Sequence, residues 1–437
     1  LGLAAIIFSI FFFNKTTPFP SAYTLVPVLG VVMLVLYADR QTLVAKILST
    51  KVFVGIGLIS YSAYLWHQPL FAFARIRLNS DLSNYLVSFL ILVSFILAYI
   101  SWRFIEAPFR QKNKVSKSKI FAFSLTFLVL FSVFGFYGHT KNGLQDRFPD
   151  NITQILNVDE NIFEDSVRHC WDAIQASPNI DTGCSLGAIN QNKTFALIGD
   201  SHAGALQETL SRFASRRNLG GVGLSYRSCP PLATANDTSN DEICTNLRHS
   251  VFSSEGIQSL PPNVIVSARW ALLTEQERYT NDSGVRESGT DWLWNINYGD
   301  SISYTEAMKN EITASLDLIL SSGRHLIIVY PVPEMGWEVP TKLARVLLTN
   351  AVLTEFAASV AVESFYERND AAFAALDAVG GERSVGKVTR IYPHEILCKK
   401  RCLAHLDGRP LYFDDDHLSQ LGASKLVTEI LDQISYQ

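Results

Sequence analysis

The stretch Phe195-Ala196-Leu197-Ile198-Gly199-Asp200-Ser201-His202 decides how the C-terminal half of this 437-residue chain is read. Four apolar residues predict a short buried strand, Gly199 a tight turn, and Ala203 to Arg217 a helix by its apolar period. Ser201 is thereby expected at a strand exit and a helix mouth. Helix N-terminal amides favour negative charge, and in open α/β sheets ligands sit beyond the carboxyl ends of strands. The same tetrapeptide also reads as a plain Asp-Ser helix cap without chemistry.

Far downstream, Tyr412-Phe413-Asp414-Asp415-Asp416-His417-Leu418-Ser419 precedes a helical run from Gln420 to Ile434. A serine nucleophile needs a base, and the base needs a carboxylate that orients it. An aspartate three residues before a histidine, on a loop entering a helix, can bond that imidazole. Asp414 is therefore assigned as orienter and His417 as base. The plainer alternative is an acidic loop in which Asp416 or Ser419 caps the last helix. Both can hold together, because a cap fixes the loop that carries His417.

From Thr194 onward the pattern alternates in the α/β manner. Strands are predicted at Thr194 to Ile198, Gly221 to Ser225, Asn263 to Ser267, Arg324 to Tyr330 and Val388 to Tyr392. Helices are predicted at Ala203 to Arg217, Thr305 to Leu320, Asn350 to Ala378 with interruptions, and Ser419 to Ile434. The expected result is a parallel sheet with helices on both faces. A long insertion from Trp270 to Ser303 follows the third strand. Arg269, Trp270, Trp292 and Trp294 are candidates for stacking on sugar rings there, or equally for filling a small core under the loop.

The Gly-Asp-Ser-His and Asp-x-x-His strings, in this order, resemble the SGNH hydrolase superfamily, and the histidine after the serine is similar to the subgroup fused to membrane acyltransferases. The resemblance spans roughly Thr194 to the C-terminus and implies a flavodoxin-like α/β domain. One departure stands out: the family's oxyanion-hole Asn after the third strand is replaced here by Ser267-Ala268-Arg269-Trp270. Arg269, Trp270, or backbone amides near Gly223 to Ser228 are the candidate oxyanion or substrate groups, beside the Ser201 amide.

The composition is unusual for a soluble enzyme: 48% hydrophobic residues, 27 Phe and a positive mean hydropathy. The excess lies in Gly2 to Phe13, Ala22 to Tyr37, Val52 to Phe73, Tyr85 to Trp102 and Ile120 to Gly138. Each of the last three can cross about 30 Å of hydrocarbon as a helix. The chain starts at Leu1 inside an apolar run, so it is expected to be the C-terminal part of a longer membrane protein. Basic residues cluster between Trp102 and Ile120 and between Ala38 and Lys51, which places those segments in the cytoplasm and everything after His139 outside it.

All six cysteines, Cys170, Cys184, Cys229, Cys244, Cys398 and Cys402, follow the last apolar run. An even set on one side suits an oxidising compartment. Sequence proximity favours Cys170 with Cys184, Cys229 with Cys244 and Cys398 with Cys402. No CxxC or HxxxH spacing accompanies them, so no metal site is expected. A net charge of −4 offers no basic field for nucleic acid, and no GxxxxGK or GxGxxG string follows a strand.

Within the apolar part, Trp66-His67-Gln68-Pro69 places polar groups at mid-membrane, where they are costly and face a cavity or a partner. His67, Arg103 and Glu106 are the candidate residues, with an ordinary packed histidine and a Glu106 ion pair to Arg103 or Arg110 as the plainer account. Tyr61-Ser62-Ala63-Tyr64-Leu65-Trp66-His67-Gln68-Pro69-Leu70 and Arg103-Phe104-Ile105-Glu106-Ala107-Pro108-Phe109-Arg110 resemble the last helices of the acyltransferase-three membrane family. That family moves acyl groups, commonly acetyl from cytoplasmic acetyl-CoA, to surface carbohydrate.

The expected organisation is a partial transmembrane α-helical bundle at 1–111, an additional transmembrane helix at 112–138, a periplasmic linker or extension at 139–192, and an SGNH domain at 193–437. The resemblances imply a multi-pass protein of the bacterial inner membrane with its C-terminal domain in the periplasm. The implied activity is O-acyl transfer to a surface carbohydrate such as lipopolysaccharide O-antigen, with acyl-CoA as cytoplasmic partner and no bound cofactor. A periplasmic carbohydrate O-acetyl esterase would use the same residues with water as acceptor, and a domain that only binds glycan would use none of them.

Overall fold

The computed structural model describes residues 1–14, 17–18, 20–78, 82–110, 116–141, 143–144, 147–158, 167–234, 236–237, 241–289, 294–296, 302–349, 352–381 and 385–434. They form two compact units, Leu1–Gly143 and Leu144–Gln437.

The first unit is helical. Its main elements are α1 (Gly2–Phe12), α2 (Leu25–Tyr37), α3 (Lys51–Leu78), α4 (Asn84–Ser101) and α5 (Lys117–Thr140). Helix α4 continues through a π-helical turn, Trp102–Glu106, into Ala107–Arg110. The widened turn sits just before Pro108, which has no N–H to give an α-helical ladder. Among the described residues two helices are long and apolar enough to cross a membrane, Asn84–Arg110 and Lys117–Thr140. The expected span Val52 to Phe73 does form a single helix, but Ser60, Ser62, His67 and Gln68 dilute its apolar character.

The second unit carries the sheet. In chain order its principal elements are α6 (Asp150–Leu156), α7 (Arg168–Ala176), β1 (Cys184–Gly187), β2 (Lys193–Gly199), α8 (Ser201–Arg216), β3 (Gly220–Ser225) and α9 (Glu242–Phe252). There follow β4 (Asn263–Ser267), α10 (Trp270–Glu275), α11 (Tyr304–Ser321), β5 (His325–Val329), α12 (Val339–Leu348), α13 (Val362–Asp377), β6 (Val388–Ile391) and α14 (Gln420–Asp432).

The sheet order is β1-β3-β2-β4-β5-β6. Strands β2 to β6 are parallel, and β1 runs antiparallel to β3 at the edge. The five parallel strands therefore have the 2-1-3-4-5 order of flavodoxin-like sheets, in which the exit of the first strand is the topological switch point. Successive residues of β2 face opposite sides. Phe195 and Leu197 join Leu206 and Leu210 of α8, Leu343 of α12 and Leu426 and Ile430 of α14. Ala196 and Ile198 join Leu247 of α9, Met308, Ile312 and Leu316 of α11 and Leu376 of α13. Two apolar layers cover both faces, which is why these strands read as continuous apolar runs.

The segment 139–192, expected as a linker packed on the domain and tied down by Cys170 and Cys184, contributes both core and strand. Ile152 and Ile155 of α6 are buried in the first apolar layer, and β1 extends the sheet. Strand β1 escapes sequence reading because only Leu186 of its four residues is buried, so it has no apolar run. Three disulfides are present, Cys170–Cys184, Cys229–Cys244 and Cys398–Cys402. The first ties α7 to this added edge strand.

Candidate active site

The site begins where β2 ends. Gly199 has φ +151°, and a Cβ there would stand 1.8 Å from the Ser267 carbonyl oxygen at the end of β4. Only glycine lets the two strands run this close. Asp200 then caps α8: its Oδ1 accepts the His202 amide at 2.8 Å, while its Oδ2 accepts the Arg269 amide at 2.9 Å from the turn after β4. Ser201 is the first residue of the helix. The cap and the exposed serine are one device.

His417 arrives on a tight hairpin. Tyr412 bridges Leu418, the Phe413 amide donates to the His417 carbonyl at 3.1 Å, and Ser419 caps α14 by accepting the Gly422 amide at 3.2 Å. Asp414 Oδ1 accepts the amides of Asp416 at 3.0 Å and His417 at 2.7 Å. Its Oδ2 lies 2.7 Å from His417 Nδ1. On the other side of the ring, Nε2 lies 2.7 Å from Ser201 Oγ. With carboxylate on Nδ1, that nitrogen carries the proton and Nε2 is left to accept from the serine hydroxyl. The Phe413 ring stacks on His417 at 5.4 Å. Ser201, His417 and Asp414 are thus brought into one hydrogen-bonded series.

Asp416 does not cap the last helix. It is 2% exposed and turned inward, with Oδ1 2.7 Å from His417 Nδ1 and Oδ2 2.8 Å from Arg269 Nη1 and 3.3 Å from His202 Nε2. Arg269 also pairs with Glu287 and, through Nε at 2.6 Å, with Glu334. Arg368 holds the other oxygen of Glu334 at 2.8 Å, and Arg278 pairs with Glu287. Three carboxylates and three guanidiniums thus balance in a desolvated cluster, the condition under which buried charge is tolerated.

Electrostatics follow from these contacts. Burial alone would push the His417 imidazole down, but Asp414 and Asp416 outweigh it and hold its pKa well above the usual histidine value. Burial would raise Asp416, yet Arg269 and His417 keep it well below the carboxylate range. Glu334 is likewise lowered against its burial by Arg269 and Arg368. Asp415 goes the other way: burial, with Asp416, Glu287 and Asp414 nearby, outweighs the pull of Arg269 and pushes it up to about 8.

A cavity of about 160 Å³ opens at Ser201, lined by Ser228, Pro230, Arg269, Leu272, Leu273, Arg278, Trp294 and His417 among others. Of the oxyanion and substrate candidates, Ser228 borders it at φ +51°. Three expectations are corrected. Gly223 is mid-strand in β3, paired with Cys184 and Leu197, and a side chain there would meet Gln207 rather than the cavity. Trp270 is fully buried and donates its indole N–H to the Val329 carbonyl at 2.9 Å, so it is core and presents no ring to a sugar. The Arg269 guanidinium is consumed by its carboxylates and its amide by Asp200, which leaves neither for an oxyanion. Trp294 does line the cavity, and Trp292 lies outside the described residues.

In the helical unit, Glu106 accepts from Ser62 Oγ at 3.0 Å and pairs with Arg110 at 2.7 Å. Arg103 instead lies over the Phe104 ring, and His67 Nδ1 faces the Tyr64 carbonyl at 2.7 Å. Among the described residues, His202, Asp416 and His417, or Asp414, Asp415 and Asp416, come close enough to share a cation. A metal there would have to displace the Arg269 guanidinium from Asp416 and the Ser201 hydroxyl or the carboxylates from His417, so this donor set suits ion pairing better than metal ligation.

A serine at the switch point of a 2-1-3-4-5 sheet, in series with an imidazole and a carboxylate, defines an α/β domain with serine-nucleophile geometry. A family model described as "SGNH domain (fused to AT3 domains)" matches residues 169–432, and the chain belongs to that family. It is 40% identical over 84 residues to the O-acetyltransferase OatA of Staphylococcus aureus, strains NCTC 8325 / PS 47 and COL. That match covers 19% of this chain and 13% of the relatives' own length. The solved periplasmic domain of a lipopolysaccharide acetyltransferase from Salmonella ser. Paratyphi A is 16% identical, with a TM-score of 0.41, covering 62% of this chain and 98% of that one.

Proposed function

We propose that the chain is the C-terminal part of an O-acyltransferase that acylates bacterial surface carbohydrate. Ser201 accepts the acyl group, and the observation that carries this reading is the 2.7 Å contact between Ser201 Oγ and His417 Nε2. His417 takes the hydroxyl proton as Oγ attacks the acyl carbonyl, then returns it to the departing group. It next removes the proton of a sugar hydroxyl that attacks the acyl-serine, and Ser201 leaves with that proton. Asp414 fixes the tautomer throughout. The Ser201 amide and the backbone at Ser228, both bordering the cavity, are the proposed oxyanion donors. Pro230, Leu272, Leu273 and Trp294 give the cavity an apolar wall suited to a short acyl chain.

Acetyl is the proposed acyl group, acetyl-CoA on the cytoplasmic side its proposed source, and the O-antigen of lipopolysaccharide a representative acceptor. The apolar helices α4 and α5 would hold the protein in the inner membrane with this domain in the periplasm, where its three disulfides are stable. The two S. aureus relatives named O-acetyltransferase support transfer over hydrolysis. The test is the O-acetyl content of surface polysaccharide in cells carrying Ser201→Ala in the complete protein. Transfer predicts loss of acetylation, an esterase predicts a rise, and a glycan-binding domain predicts no change.

A further inference from the structure

The reading of Ser201 as nucleophile employs one carboxylate, yet two meet the same nitrogen of His417. Asp414 Oδ2 and Asp416 Oδ1 are each 2.7 Å from Nδ1. Nδ1 has a single proton, for which the two carboxylates compete or which they share in a three-centre bond. The two acids differ in setting. The Asp414 side chain is 25% exposed and belongs to the hairpin itself. The Asp416 side chain is 2% exposed, and its second oxygen is fixed by Arg269 at 2.8 Å and His202 at 3.3 Å.

Arg269 is in turn immobilised from three directions. Its amide is bound by Asp200 beside Ser201, and its guanidinium is gripped by Glu334 and Glu287. Glu334 follows β5 and is tied to Arg368 of α13. The fork thus joins the turn that presents the serine to the loop that presents the base. Resting on the acyltransferase reading above, we propose that Asp416 is a second orienting carboxylate for His417, and that Arg269 is the positioning residue that holds it against the imidazole. The base is clamped from two sides, so either acid can keep Nδ1 protonated when the other is removed.

The groups facing His417 are Asp414 and Asp416 on its own loop and Ser201 and His202 from α8. Behind them stand Arg269 after β4, the buried Tyr412 hydroxyl beside Asp416, and Asp415. All are retained in the test except the residue changed.

The test uses the complete membrane-bound protein and a fluorophosphonate probe. Ser201 Oγ forms a bond to phosphorus, the P–F bond breaks and fluoride leaves, and the hydroxyl proton passes to His417 Nε2. The labelling rate against pH, with the labelled peptide mapped, reads His417 without needing the natural donor or acceptor. Asp414→Asn is expected to retain labelling within about tenfold of the wild type. Asp416→Asn is expected to move the pH midpoint down by about one unit, as loss of one neighbouring carboxylate does. Asp414→Asn with Asp416→Asn should lose about 10⁴-fold, the scale set by removing an orienting carboxylate outright. A fall of that size in Asp414→Asn alone, or an unmoved midpoint in Asp416→Asn, would overturn the second carboxylate. Asp414, being partly exposed, gives its answer even if the Asp416 variant fails to accumulate. Absence of Ser201 labelling in the wild type is a separate outcome: it removes the nucleophile assignment, and the second carboxylate with it.

Discussion

Asp200 binds the backbone amide of Arg269 through one carboxylate oxygen and the amide of His202 through the other. One side chain therefore fixes the start of the helix bearing Ser201 and the turn bearing the cluster's central guanidinium. Asp200→Ala should cost about 0.5–2 kcal/mol, the range for losing an N-cap, and should lower kcat more than KM because Ser201 loses its placement. Thermal unfolding and steady-state kinetics on the complete protein check both; a variant with wild-type kcat would show that the cap does not set the serine.

Gly199 permits a backbone approach that no other residue allows, since its Cβ would stand 1.8 Å from the Ser267 carbonyl. Gly199→Ala is expected to destabilise the domain by roughly 3 kcal/mol or more through strain and overpacking. Circular dichroism melting is the check, and an unchanged midpoint would count against the fold at this strand pair.

His417 works as a base only when neutral, and its two carboxylates raise its pKa. The acid limb of kcat/KM should therefore have its midpoint above about 6.5, the unperturbed histidine value. In stability the raised value acts the other way: the stabilisation is fully present below the unfolded pKa and is lost as pH rises through the folded one. Asp416 and Glu334 are depressed, so their contribution holds above about pH 4 and disappears as pH falls through their folded values. A pH–rate profile beside melting curves at several pH values tests both signs, and an acid limb centred well below 6.5 would contradict the geometry.

Arg269→Met would strand Asp416, Glu287 and Glu334 without their shared cation. The expected loss is about 3–5 kcal/mol, as for removing one partner of a buried pair. Urea unfolding of the variant measures it. A loss under about 1 kcal/mol would mean that the cluster is solvated.

Removing Cys170–Cys184 by paired Ser substitutions frees a loop of sequence separation 14. The chain-entropy scale for a loop of that length is about 3 kcal/mol. Melting with and without reductant provides the comparison, and the loss should be localised to the β1 edge, visible as faster amide exchange there.

The sequence made some of this legible and hid the rest for physical reasons. Strands β2, β4 and β5 are covered on both faces, so each appears as an unbroken apolar run. Ser201 and His417 sit at punctuated element ends, where local chemistry marks them. Strand β1 has one buried residue in four and left no such mark. Trp270 opens the long insertion after the third strand, which makes it a candidate for sugar stacking as much as for core, and it opens a short helix that turns its ring into the core. Asp416 looked like part of an acidic loop, since its partners Arg269 and His202 come from distant elements. Glu287 and Glu334 had no periodicity to single them out; the available signal was that Glu334 lies shortly past a strand exit, where active-site groups collect in such sheets.

The most direct test of the nucleophile is to offer the complete protein an activated acetyl ester, quench in acid, and map the acetyl group by peptide mass spectrometry. Acetyl is expected on the Ser201 peptide of the wild type and not in Ser201→Ala, with loss of surface O-acetylation in the same variant. An unmodified Ser201 together with undiminished O-acetylation in Ser201→Ala would contradict Ser201 as the nucleophile.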